Sequence, residues 1–295
     1  MNTCPLCGKS DLRRFPIHYT LAEKRFDARE CTSCGFIFLL PRPSTDELRL
    51  MYSDEYFLHD GADFGAHSMT DYETAAVRGS VKFPVILGHI KRYKRDGDFF
   101  EVGCGMGYFL DFARRHGYRV SGIEHAGLGT NICRERFGLD VTTSSFEGYP
   151  ERAEAYDVVF FGDVLEHIVE PLEMLKKAYR MLRAGGIAAV EVPSTFNSIA
   201  GRVAASAYRV LGRDKKMPLP PYHVNEFVPR TLRAILLGAG FRRADIIQRA
   251  KTPGTISLRG SFFEKSAKKT LQYPNYIITN SLGLLGDRLL GIGVK

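Results

Sequence analysis

The stretch Phe99-Phe100-Glu101-Val102-Gly103-Cys104-Gly105-Met106-Gly107 decides the fold. It reads as an apolar strand, an acid, and three alternating glycines that lead into a helix from Tyr108. Glycines let a backbone turn sharply and let a ligand lie against it. A dinucleotide turn would be spaced GxGxxG, with pyrophosphate at the helix N-terminus. Here the spacing is GxGxG, Tyr108 stands where that turn wants its third glycine, and Glu101 precedes the first. A carboxylate in that place repels phosphate but accepts a hydrogen bond from an ammonium group.

The next strand ends in Gly122-Ile123-Glu124, whose acid suits the two hydroxyls of a ribose. A nucleoside that carries an amino-acid group and no phosphate satisfies both acids. S-adenosylmethionine (SAM) is such a molecule, and NAD is not. Around this turn, short apolar runs alternate with helical stretches. Strands are expected at Phe99–Val102, Tyr118–Ile123, Leu139–Thr142, Tyr156–Phe161 and Gly186–Val192. Helices are expected at Tyr108–His116, Ile132–Phe137, Pro171–Leu182 and Thr231–Leu237, and final strands at Arg243–Gln248 and Leu289–Val294. Such alternation with short links predicts an α/β fold: a Rossmann-like, doubly wound sheet covered on both faces. Residues 194–230 interrupt it with a mixed, Pro-rich insertion expected to act as a lid.

Toward the N-terminus, Cys4-Pro-Leu-Cys7-Gly8 and Cys31-Thr-Ser-Cys34-Gly35 are the same knuckle written twice. The glycine after each second cysteine lets the backbone fold back, so that amide N–H groups approach the sulfurs. Four thiolates suit one tetrahedral zinc ion and leave no open position for water, which predicts a structural site at Cys4, Cys7, Cys31 and Cys34. The intervening Lys9–Glu30 is long enough for a small hairpin. Cys104 and Cys133 show no such partners and read as packing residues. The domain division is then a zinc-ribbon module at 1–43, a helical linker at 44–80 with Ser44 or Thr45 as a helix cap, and the α/β domain at 81–295.

The 295 residues are 44% apolar and 25% charged, ordinary for a soluble globular chain. No run of eighteen apolar residues predicts a membrane span, and no charged-then-apolar leader is visible, so a cytoplasmic location is expected. The formal net charge of +8 suits an anionic partner. Much of the surplus lies between Arg242 and Lys269, which reads as a solvated basic face.

Residues 80–250 resemble the class I SAM-dependent methyltransferases. Glu101–Gly107 resembles their first motif, and Glu124 the acid at the second strand's end. Tyr156–Ile168 looks like the fourth strand and its exit loop, and Leu182-Arg-Ala-Gly-Gly186 like the turn before the fifth. Within that class, Asp163–His167 and the downstream Pro221-Tyr-His223, Phe227, Leu232 and Gly240-Phe241 are similar to methyltransferases of ubiquinone-type and sugar-modifying pathways. The cysteine pairs, with Cys34-Gly-Phe-Ile-Phe38 and Pro41-Arg-Pro43, resemble the zinc-binding module fused to many bacterial small-molecule methyltransferases. The resemblance implies a seven-stranded sheet with its last strand antiparallel. It implies that Glu101, Gly103, Gly105 and Gly107 line the methionine part of SAM and that Glu124 holds the ribose. Ser145 and Phe146 would contact adenine, and Gly162 and Asp163 would close the site.

Methyl transfer is an in-line displacement at a sulfonium carbon, so the protein mainly orients the nucleophile and excludes water. A base that takes the acceptor's proton is the remaining need, and His167 and His223 are the candidates. Tyr56 and Tyr72 read as packing aromatics that precede the fold. The expected activity is methylation of a small biosynthetic intermediate, with sugar-nucleotide, phenolic or polyketide-like acceptors. Two rivals stand beside it: an RNA methyltransferase that uses the ribbon on RNA, and a non-catalytic scaffold. Residues 1–40 are not strongly basic and no Asn-Pro-Pro-Tyr follows the fourth strand, which counts against RNA. The intact acids and glycines count against the scaffold.

Overall fold

The computed structural model describes residues 3–21, 23–44, 46–48, 80–217, 221–253 and 262–295. Tyr56, Tyr72 and nearly all of the expected linker lie outside these residues. The end of the module is described: Ser44 Oγ accepts from the Glu47 N–H at 3.2 Å, and Glu47 Oε2 accepts from the Ser44 N–H at 2.7 Å. This reciprocal capping box marks Ser44 as the cap.

In chain order the strands and helices are β1 (Leu12–Leu21), β2 (Lys24–Cys31), β3 (Ile37–Leu40), α1 (Phe83–Lys91), β4 (Gly97–Val102), α2 (Tyr108–Arg115), β5 (Tyr118–Glu124), α3 (Gly127–Phe137), β6 (Val141–Thr143) and β7 (Tyr156–Gly162). They continue as α4 (Pro171–Met181), β8 (Leu182–Pro193), α5 (Ile199–Val210), β9 (Lys215–Lys216), β10 (Asn225–Glu226), α6 (Pro229–Gly238), β11 (Arg243–Arg249), α7 (Phe262–Leu282) and β12 (Arg288–Val294).

The larger sheet has seven strands in the order β11-β12-β8-β7-β4-β5-β6. β4 through β8 pair in parallel, while β12 runs antiparallel to both β8 and β11. Side chains alternate between its faces, as a strand's period of two requires. Phe100, Val102, Val159 and Phe161 enter one apolar cluster with α4 and α6. Phe99, Val158 and Phe160 enter the other, with α1, α2 and α3. Both faces are therefore dry, which explains why these strands read as unbroken apolar runs. From β4 the chain steps to β5 and β6, then crosses to β7 on the other side. The carboxyl ends of β4 and β7 thus flank the point where such sheets bind ligands.

The second sheet departs from the expected division. The Lys9–Glu30 hairpin forms as β1 and β2, but the sheet has five strands in the order β10-β3-β2-β1-β9. Its outer strands come from the insertion expected to act as a lid: Lys215 and Lys216 pair with Ile17 and His18, and Asn225 and Glu226 with Phe38 and Ile37. The module's apolar residues Phe15, Ile17, Tyr19, Phe26, Ile37 and Leu39 pack with Phe196, Ala205 and Met217 of the lid. The module and the 194–230 insertion share one sheet and one apolar cluster. The lid also contains α5, and the chain beyond β11 contains α7, neither of which the sequence pattern marked.

Candidate active site

Gly103, Gly105 and Gly107 all adopt left-handed backbone, with φ of 67°, 55° and 80°. A Cβ on Gly103 would stand 2.7 Å from Val164 Cγ2, and one on Gly107 2.8 Å from Cys133 Sγ. The turn is pinned below by the N–H groups of Gly103 and Cys104, which donate to the Ile123 carbonyl at 2.9 and 3.0 Å. Glu101 is buried under it, and its Oε2 has no hydrogen-bond partner among the described residues. Burial, then repulsion from Cys133 and Glu124, pushes its carboxyl well above the usual carboxylate range. A buried carboxylate oxygen with nothing to accept from is costly. An ammonium group supplies the missing donor, so the residues present fit the methionine end of SAM.

Glu124 accepts the Gly105 N–H at 2.8 Å through Oε2 and the Ala126 N–H at 3.0 Å through Oε1. Each carboxylate oxygen retains a second lone pair, so the residue braces the turn and still offers acceptors to a ribose. In the loop expected to meet adenine, Ser145 Oγ accepts from the Gly148 N–H at 3.2 Å, while the Phe146 ring points into the core against Phe161. The Phe146 side chain is thus a packing group, and the loop offers backbone and Ser145 to a ligand. Cys104 and Cys133 are buried packing residues outside the cysteine cluster, as expected, but they pack against each other. Their sulfurs lie 3.9 Å apart, both residues are buried, and Cys133 Sγ approaches the Gly105 carbonyl at 3.4 Å. A spacing of 29 residues hid a contact made by α3 packing under the glycine turn.

Gly162 and Asp163 sit at the exit of β7, with Asp163 in left-handed backbone. Asp163 is tied into an ion-pair network. Its carboxylate meets Lys82 at 3.0 Å and Arg288, and beneath it the buried Glu191 meets Lys82 at 3.2 Å, Arg249 at 3.2 Å and Arg288 at 3.1 Å. Although burial works against it, Arg288 and Lys82 hold the Asp163 carboxyl below its ordinary range. Arg249, assigned from sequence to the solvated basic face, is instead drawn inward to Glu191. Glu191→Gln should destabilise the protein by about 3–5 kcal/mol, because it strands buried cations. Urea denaturation measures this; a loss under about 1 kcal/mol, the scale of an exposed pair, would contradict the assignment.

The two candidate histidines meet. Leu165–His167 forms a turn after β7, and the His167 ring lies 5.1 Å from the His223 ring, centroid to centroid. His167 Nδ1 lies 2.7 Å from the Tyr222 carbonyl oxygen, and its Nε2 3.7 Å from Glu166 Oε1. Burial, then the His223 charge, lowers the His167 pKa to about 3. His223 Nδ1 lies 3.9 Å from Glu226 Oε1. Burial acts to lower its pKa, but Glu226, Glu166 and Asp163 outweigh that and raise it. The two rings are thus differentiated: His167 is held neutral, and His223 is the stronger base. Glu166 was missed from sequence, although it adjoins His167. It is buried, its Oε2 has no partner among the described residues, and burial with the Asp163 charge raises its pKa to about 8.

The four knuckle cysteines converge, with their sulfurs all within 4.8 Å of one another. Cys4 and Cys34 lie 3.5 Å apart and Cys7 and Cys31 3.6 Å apart. A tetrahedron with zinc–sulfur bonds near 2.3 Å has edges of about 3.8 Å, so the set fits zinc. The knuckles share one hydrogen-bond pattern: Gly8 N–H to Cys4 carbonyl at 2.8 Å, Gly35 N–H to Cys31 carbonyl at 2.7 Å. Burial raises the Cys31 thiol, but the Cys34 N–H, the Cys7 thiol and the Ser33 N–H outweigh it and bring the pKa down to about 7.

Comparison with known proteins agrees with this geometry. A family model described as a methyltransferase domain matches residues 85–244. A probable SAM-dependent methyltransferase of Mycolicibacterium smegmatis is 29% identical over 151 residues, 51% of this chain and 54% of that protein. A ubiquinone biosynthesis O-methyltransferase of Ruegeria sp. is 27% identical over 151 residues, 49% of this chain and 60% of that protein. The chain thus spans under two thirds of the length of these relatives. Among solved structures, a SAM-dependent methyltransferase of Thermotoga maritima, described as a possible histamine N-methyltransferase, aligns with a TM-score of 0.53 at 20% identity, covering 77% of this chain and 95% of that one. One from Archaeoglobus fulgidus gives 0.50 at 18%, covering 73% and 94%. These structural likenesses are likenesses of fold.

Proposed function

The chain belongs to the methyltransferase-domain family, and on that premise we propose that it transfers the methyl group of SAM to a small biosynthetic intermediate. The observation that carries this is the buried Glu101, with one oxygen unpartnered among the described residues, beneath three left-handed glycines. Sugar-nucleotide, phenolic and polyketide-like compounds are the acceptor classes, and the sequence relative named for ubiquinone biosynthesis supports the phenolic one. The RNA alternative loses ground, because module arginines are spoken for: Arg13 pairs with Glu30, Arg14 with Asp214, and Arg25 with Asp27 and Asp214. Four cysteines would hold a structural zinc.

SAM supplies an electrophilic methyl group. The chain's own residues bind and orient. Glu101 receives the ammonium, Glu124 the ribose, and the glycine turn lets the backbone lie close. His223 takes the acceptor's proton as the nucleophile attacks, and the Glu226 carboxylate stabilises the imidazolium that results. His167, kept neutral, positions the acceptor beside it.

The test uses methyl-labelled SAM and a panel of the three acceptor classes. His223→Gln should lower the rate by about 10²- to 10⁴-fold, the usual worth of a general base. The base must be neutral, so the rate should fall with acid through a pKa above the ordinary histidine value of about 6.5. Glu226→Gln removes a group that raises this pKa, and should shift the acid limb to lower pH. Labelled RNA at low salt in place of every small acceptor would refute the substrate class, and an unchanged His223→Gln rate would refute the base.

A further inference from the structure

Arg42 lies in Pro41-Arg42-Pro43, directly after β3, and the methyl-transfer reading leaves it without a task. Its guanidinium donates through Nη1 to the Val224 carbonyl at 3.0 Å and through Nη2 to the Val169 carbonyl. It also lies over the Phe38 ring, 5.7 Å from the centroid. Val169 comes two residues after His167, and Val224 directly follows His223. One side chain from the cysteine module therefore grips both histidine-bearing loops. Two bonds run alongside: the Leu39 N–H donates to the Val224 carbonyl at 3.1 Å, and Asn225 Nδ2 to the Ile168 carbonyl at 2.6 Å.

The choice of residue has a physical basis. A planar guanidinium presents donors in a rigid fork and can hold two carbonyls at a set separation, whereas an ammonium is a single point. Burial lowers the Arg42 pKa to about 10, which still leaves it charged at neutral pH. A half-buried cation served by carbonyls is costly unless its geometry is needed. No other described side chain links the segment after His167 to the segment after His223 while belonging to the module.

We propose that Arg42 is a positioning residue that sets the separation of His167 and His223. This rests on the reading of these histidines as the acceptor-facing pair. Its test is nonetheless independent of turnover, because it follows the imidazoles themselves. The groups that face the pair are Glu166, Asp163 and Glu226, together with each histidine for the other.

The experiment is histidine titration by NMR on ring-labelled, zinc-loaded protein, with SAM affinity by calorimetry beside it. In the native protein His167 should stay neutral down to low pH and His223 should titrate above its ordinary value. In Arg42→Ala the loops should part, so that His167 titrates at about pH 5–7 and His223 moves down toward about 6.5. Arg42→Lys should give intermediate curves, and added guanidinium should restore the native curves to Arg42→Ala. SAM affinity should stay within about twofold, since Arg42 touches no group of the cofactor site. Native titration curves in both variants would overturn the proposal. So would a loss of SAM affinity and thermal stability with the curves unchanged. If Arg42→Ala fails to fold, Arg42→Lys alone decides by the same curves.

Discussion

Glu101→Ala is expected to weaken SAM binding by about 10- to 100-fold, the worth of one charge-assisted hydrogen bond of about 1.5–3 kcal/mol. The same substitution should leave the free protein as stable as before, or more stable. Glu101 is buried, and one of its oxygens has no partner among the described residues, so removing it relieves desolvation and breaks no bond at that oxygen. The opposite directions matter. A residue kept for the fold would lose stability first and affinity as a consequence. The sign with pH follows from the raised pKa: the carboxyl holds its proton to higher pH than an exposed glutamate. Affinity should therefore fall as pH drops through that raised pKa, and binding in acid should release a proton. Calorimetry in buffers of different ionisation enthalpy reads both. Unaltered affinity in Glu101→Ala would end the assignment.

The second large effect concerns the cysteines. Structural zinc is worth about 10–16 kcal/mol in small zinc-folded peptides, so its loss should unfold the module. Native protein should carry about one zinc ion per chain, and Cys31→Ala none. Because β9 and β10 complete the module's sheet, the damage should reach the lid. Amides of 215–216 and 225–226 should lose hydrogen-exchange protection, while β4, β7 and β8 keep theirs. A Cys31→Ala protein that is metal-free and still protected at 225–226 would refute the role given to zinc.

Much of this was legible in the sequence. The inner strands β4, β7 and β8 announced themselves because both faces of the sheet are buried there, which makes each largely an apolar run. The glycine turn was legible because left-handed backbone at Gly103, Gly105 and Gly107 limits the residue type. The CxxC knuckles were legible because two such pairs have the spacing that a tetrahedral metal requires, and their sulfurs do converge. What was hidden depended on contacts across long sequence distances. Two-residue strands such as Lys215–Lys216 carry no periodicity, so their pairing with Ile17 and His18 leaves no trace. Helix α5 is largely solvent-exposed and lies within the mixed insertion, and α7 contains Pro274. Arg288 and Asp163 stand 125 residues apart, so their pairing is a property of the β12 insertion between β8 and β11. Glu166 is different: its neighbour His167 was singled out, and the adjacent acid was a signal available to be read.

The shared sheet also orders events in time. β1, β2 and β3 are made early, but the two strands that flank them come near residues 215 and 226. At roughly 5–20 residues per second, a ribosome needs about 10–40 s to close that gap. During this interval the hairpin has two raw edges and an apolar face with nothing laid over it. On the proposed zinc reading, the cysteine knuckles are what it has to hold it in shape until the rest of the chain arrives.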